Sequence, residues 1–178
     1  MAETSAAVAA VALALPWIAS PTLAFLISRP SRPKPLDKQL AARDQRFLRK
    51  VTRRTWSFFD RYVAVADHYL PPDNVQEVPE ERIAPRTSPT NIGLGLLSHL
   101  AAHDFGYVTL GQLLDRVGRM LDSSKRLERH ESGHFFNWYD TRRLAPLEPR
   151  YVSAVDSGNF VASLHVLSRG VRQLVHES

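Results

Sequence analysis

The 178-residue chain has no cysteine, which excludes a disulfide scaffold, a thiolate metal site and a cysteine nucleophile. It also has no phosphate-cradling glycine loop, no Gly-x-Ser-x-Gly elbow and no His-Glu-x-x-His zinc motif. Lys and Arg are missing from the first 28 residues, whose single charge is Glu3. A secretory leader normally opens with cations, so its charge pattern is absent. What is present is ordinary globular material: 44% hydrophobic and 23% charged residues, enough for one domain with a core. A collagen-like or disordered chain is excluded on that balance.

The formal charge of +5 is concentrated in one place. Ten basic residues lie between Arg29 and Arg54 against only Asp37 and Asp44, and the remainder is slightly acidic. Ala6 to Ile27 is apolar almost throughout, interrupted by Pro16 and Pro21. About 20 such residues can cross a bilayer, so a transmembrane helix is expected over residues 1–29. The cations after it would then place the following residues in the cytoplasm. Membrane lipid is the expected partner of residues 6–27 and of the basic block 29–54. Nucleic acid is not, because no recognition motif or aromatic interleaving accompanies the charge.

Prolines at 30, 33 and 35 mark an extended linker over 30–36. Phe47, Val51, Thr55, Phe58 and Tyr62 then recur at helical spacing, predicting an amphipathic helix from about Asp37 to Val65. Ser88-Pro89 should start a second helix, Ser88 as N-cap and Pro89 in its first turn. Ile92 to Ala102 leaves that helix almost no polar face, so it should be inner. Gly106 suits the left-handed residue after it. A one-faced stripe from Leu110 to Leu127 marks an outer third helix. A short extended piece near Phe135–Asp140 follows, and Asp156–Asn159 should cap an inner fourth helix. The order outer, inner, outer, inner predicts an all-α fold that begins a two-layer α/α toroid.

Polar residues gather where the inner helices begin, at Arg86–Asn91, Asn137–Thr141 and Asp156–Asn159. Helix N-termini offer free N–H groups to sugar hydroxyls or anions, and Trp138 and Tyr139 offer flat faces for a pyranose ring. Caps and core aromatics account for such residues singly; their coincidence is the signal. His99 with His103, and His130 with His134, are spaced i,i+4, but no carboxylate completes a metal motif, so no metal is expected.

Several ordered stretches resemble the bacterial cyclic β-1,2-glucan synthases. They are Arg54–Phe59, Leu70–Glu77, Arg86–Gly93, Asp104–Tyr107, Asn137–Thr141 and Tyr151–Asn159. Trp17–Pro21 and Ser28–Pro30 look like the end of the membrane segment that precedes that family's glucoamylase-like middle domain. The resemblance implies the first third of an (α/α)6 barrel over 37–178, from the domain that closes β-1,2-glucan into a ring by transglycosylation. It further implies a bacterial inner-membrane location, no cofactor, and β-1,2-glucan and the remainder of the synthase polypeptide as partners. Retaining transglycosylation needs two carboxylates about 5 Å apart, and the family places that pair beyond Ser178, so no catalytic residue is expected here. Substrate contacts are expected at Arg86, Asn91, Asp104, Trp138, Tyr139, Asp140, Asp156 and Asn159. The alternative is a membrane-anchored helical module that binds glycans or proteins without catalysis.

Overall fold

The computed structural model describes residues 2–29 and 40–177. It divides into two units, residues 1–45 and 46–178. The expected linker over 30–36 lies outside the described residues.

The first unit contains α1, Ala2–Ile27, with Pro16 and Pro21 inside the helix. Among the described residues no helix is long and apolar enough to cross a membrane. This corrects the expected transmembrane helix. Pro16 and Pro21 each remove a backbone donor from the helix. The cytoplasmic placement of later residues rests on that span and has no separate support in the fold.

Helix α2 (Ala42–Tyr62), whose residues from Arg46 belong to the second unit, is shorter than the expected helix. Its buried residue is Trp56, while Phe47, Val51 and Thr55 of the expected stripe are exposed. The helix meets its neighbours from Arg49 onward, where the Tyr107 hydroxyl donates to the Arg49 carbonyl at 3.4 Å. Further along, Trp56 packs edge-on against His99, ring centroids 5.3 Å apart, and Asp60 pairs with Arg116 at 2.9 Å.

Helix α3, Pro89–Asp104, packs against both α4 (Leu110–Lys125) and α5 (Ala154–Glu177). It starts as its sequence predicts: the Ser88 hydroxyl accepts from the Asn91 N–H, and Pro89 fills the first turn, where no donor is needed. Gly106 sits just past its end at φ +71°. Thr109 and Gln112 form a reciprocal capping box on α4. Helix α5 begins earlier than expected, because the Ser153 hydroxyl accepts from the Asp156 N–H and takes the capping role assigned to Asp156. Ile92 and Leu96 of α3, Leu113 and Met120 of α4, Leu70 and Tyr139 are fully buried and form the core.

The fold is mostly helical but not all-α. Val75–Gln76 (β1) pairs with Arg82–Ile83 (β2), and Arg86–Thr87 (β3), Tyr139–Asp140 (β4) and Ala145–Pro146 (β5) form a three-stranded sheet in that order. A two-layer toroid is not what these helices show. Among the described residues α5 is covered along one side, and Val161, Val166 and Val175 are exposed.

The α3–α5 crossing depends on a missing side chain. A Cβ at Gly93 would lie 2.6 Å from Ser163 Oγ and 3.5 Å from the Phe160 Cα. Gly93→Val must therefore displace Ser163, whose Cβ would also lie only 3.0 Å from the new Cβ, and we expect it to cost about 1–3 kcal/mol. Urea denaturation checks this; unchanged stability would mean that α5 yields freely.

Candidate functional site

The three-stranded sheet ties the start of α3 to the loop after α4. Its register sets Arg86 opposite Asp140 and Thr87 opposite Tyr139. Arg86 donates through Nε and Nη2 to Asp73 Oδ2, at 3.1 and 2.8 Å, and its guanidinium lies 4.9 Å from the Trp138 ring centroid. Asp73 is the more buried partner, so it fixes the planar fork over the indole. Trp138 itself is half-buried.

A hydrogen-bonded chain continues from the indole to the N-terminus of α5. Asn137 is buried, with its backbone N–H bound to the Tyr151 carbonyl at 2.8 Å. In the amide orientation that satisfies its neighbours, its oxygen accepts from Trp138 Nε1 at 2.6 Å and from the Tyr151 hydroxyl at 2.7 Å. Its nitrogen donates to Asp156 Oδ2 at 3.0 Å. Thr90 donates to Asp156 Oδ1 at 2.5 Å, and Asn159 Nδ2 donates to the Thr90 hydroxyl at 3.1 Å. Arg86, Trp138, Asn137, Asp156, Thr90 and Asn159 thus form one connected cluster over the N-termini of α3 and α5.

The same end holds unused hydrogen-bonding capacity. Asn91 Nδ2, Thr87 Oγ1 and Ser157 Oγ are buried without a partner. Such groups are uncommon and costly when left unmet. The carboxylates, by contrast, are occupied. Asp73 takes Arg86, Asp156 takes Thr90 and Asn137, and Asp140 Oδ1 accepts from the Arg142 and Arg143 N–H groups at 2.8 and 2.9 Å. The chemistry available is recognition of hydroxyls and a ring face, with Asp140 serving to order its turn. No group of three His, Asp or Glu suited to a metal ion occurs among the described residues.

Two of the expected contacts do not fit the cluster. Asp104 ends α3, so a 16-residue helix separates it from Ser88, about 24 Å at about 1.5 Å per residue. Tyr139 is fully buried and offers no ring face. Its hydroxyl accepts from the Phe136 N–H at 2.7 Å and donates to the Glu128 carbonyl at 2.6 Å, and burial raises its pKa. Tyr139→Phe should cost about 1–3 kcal/mol by leaving the Phe136 N–H unmet, without weakening any ligand of the cluster. Loss of ligand binding in a folded variant would restore Tyr139 to the site.

Asp73, Thr90 and Asn137 were not among the expected contacts, although all three fall inside stretches singled out in the sequence. Thr90 was legible in principle: a hydroxyl in the first turn of an N-terminus has its backbone donors close by. Asn137 and Asp73 act across the fold, through residues far along the chain, and no local signal marks them.

No protein-family model matches the chain. A 162-residue stretch, 90% of the chain, is 41% identical to the cyclic beta-(1,2)-glucan synthase NdvB of Rhizobium meliloti (strain 1021). The chain spans 6% of the length of that relative. Over nine-tenths of its length, this chain is therefore similar to one short part of a cyclic β-1,2-glucan synthase.

Proposed function

We propose that the chain supplies a glucan-binding surface to a cyclic β-1,2-glucan synthase, in the region that closes the glucan into a ring by transglycosylation, and that it binds glucan without cleaving it. The observation that carries this reading is the Arg86–Trp138 stack joined to the Asn137–Asp156–Thr90–Asn159 chain at two helix N-termini. Similarity to the synthase supplies the ligand class.

Asp73 uses Arg86 Nε and Nη2 and leaves Nη1 for a sugar hydroxyl. Asn91 Nδ2 is a buried donor with no protein acceptor, and Thr87 and Ser157 add hydroxyls that can donate or accept. The indole contributes apolar area to a ring face. Asp140 and Asp156 position neighbours; acid–base chemistry would need a carboxylate released from those bonds.

Titration of the chain with β-1,2-linked gluco-oligosaccharides, followed by calorimetry and tryptophan fluorescence, tests the reading. Saturable binding with no cleavage of the oligosaccharide is the expected result. Absence of binding, or turnover by the chain alone, would overturn it. An antibody against residues 126–143, used on source-cell extracts, tests the larger assembly. A band far above the 20.1 kDa of this sequence is expected, whereas a band at that size would favour a binding module acting by itself.

A further inference from the structure

Tyr151, three residues before α5, is bound to the same Asn137 that holds the Trp138 indole. Its backbone carbonyl accepts from the Asn137 N–H at 2.8 Å, and its hydroxyl donates to the Asn137 amide oxygen at 2.7 Å. Chemistry sets the orientation of that amide. Asp156 offers a carboxylate, which accepts, so the amide nitrogen faces it at 3.0 Å and the oxygen faces the two aromatic donors. Trp138 Nε1 and the Tyr151 hydroxyl therefore share one acceptor, at 2.6 and 2.7 Å, which sets the polar edges of the two rings side by side.

Tyr151 is held at both ends, yet it is 51% exposed, whereas Tyr139 in the same region is fully buried. Fixing a side chain costs rotamer entropy, and burial of the ring is what ordinarily offsets it. Here the ring is fixed and left in solvent. An aromatic already ordered before a ligand arrives loses little further freedom on contact. Tyrosine suits that role, since its flat apolar face carries a polar tip. With its proton given to Asn137, the hydroxyl keeps lone-pair capacity to accept from a sugar hydroxyl.

We propose that Tyr151 is a second sugar-stacking face, so that the surface holds two glucose units of one β-1,2-linked chain. One unit lies against Trp138 and the other against Tyr151, and the Asn137 amide fixes the two rings relative to each other. This rests on the glucan reading and extends it from one aromatic platform to two.

The test is NMR of the full chain with isotope-labelled tyrosine rings, titrated with β-1,2-linked glucotetraose. Tyr151→Phe identifies the Tyr151 ring signals by their loss. A saturable shift of those signals in the native chain is the expected result, and it carries the test even where Tyr151→Ala does not fold. Calorimetry with the same tetraose then compares two variants. Tyr151→Phe keeps the ring and gives up the bond to Asn137, and should weaken binding by less than about threefold, whereas Tyr151→Ala removes the ring as well and should weaken it by about tenfold. A tyrosine that only held Asn137 in place would make the two variants equally weak. That equality, native affinity in Tyr151→Ala, or no shift of the Tyr151 signals in a native chain that binds the tetraose would each overturn the second platform and leave the Trp138 surface standing. Failure of the native chain to bind the tetraose would remove the glucan reading and this extension together.

Discussion

Acidification from pH 7 to pH 4 is expected to remove about 3 kcal/mol of folding stability through His99 alone. Burial is the largest cause of its depressed pKa, with the Arg116 charge adding to it and Asp60 opposing. The ring titrates at about 4 in the folded chain and at its ordinary 6.5 when unfolded. Between those values the unfolded state binds the proton and the folded state does not, so falling pH favours unfolding. The contribution is complete above about 6.5 and is lost progressively down to about 4. A cost of 3 kcal/mol is a large share of the 5–15 kcal/mol typical of a domain. Carboxylates also titrate near the bottom of this range, so the informative quantity is a difference. Urea denaturation of the native chain and of His99→Gln at pH 7, 5.5 and 4 isolates the histidine. The variant should lose much less stability between pH 7 and pH 5.5. Parallel pH profiles would show that His99 reaches water in the folded state.

Replacing Trp138 by alanine should lower affinity for β-1,2-gluco-oligosaccharides by about 5- to 150-fold, the effect of losing about 1–3 kcal/mol of aromatic contact. It removes the ring under Arg86 and the Nε1 donor that holds the Asn137 amide. Arg86→Lys should be damaging as well, because an ammonium cannot satisfy Asp73 through two nitrogens while stacking on the indole. Asp104→Ala provides the comparison, since Asp104 lies at the far end of α3 and should bind as the native chain does. Equal affinity for native and Trp138→Ala chains would remove the cluster as the glucan surface. Weakened binding in Asp104→Ala would relocate it.

The helices that carry the cluster were legible in the sequence because their signals are local. Ser88 and Pro89 sit three and two residues before Asn91, Gly106 supplies the one positive φ that ends α3, and the α4 stripe repeats every three to four residues. Local signals also misled. Phe47 and Val51 have helical spacing, yet both are exposed, since periodicity reports a face and not its partner. Asp156 resembles a cap, but the Ser153 hydroxyl reaches its N–H and frees the carboxylate for Thr90 and Asn137. Tyr139 and Trp138 are adjacent aromatics with different fates: Tyr139 opens β4 and is fully buried, whereas Trp138 precedes the strand and is half-buried. Only the pairing of β4 with β3 and β5 decides which face is the core.

That pairing also governs when the chain becomes able to bind. Arg86 and Asp140 are neighbours across two strands, yet α3, α4 and the following loop lie between them in sequence. Contacts of such long sequence separation form late, after the helices they join. The half-sites on α3 and on the 137–140 segment meet only once the sheet closes, so glucan has nothing complete to hold in the transition state for folding. Added glucan should therefore leave the refolding rate unchanged and slow unfolding, with the whole stability gain appearing in the unfolding limb. On the proposed reading, competence to bind glucan is expected to arise late in folding, and a nascent or partly unfolded copy would pass glucan by.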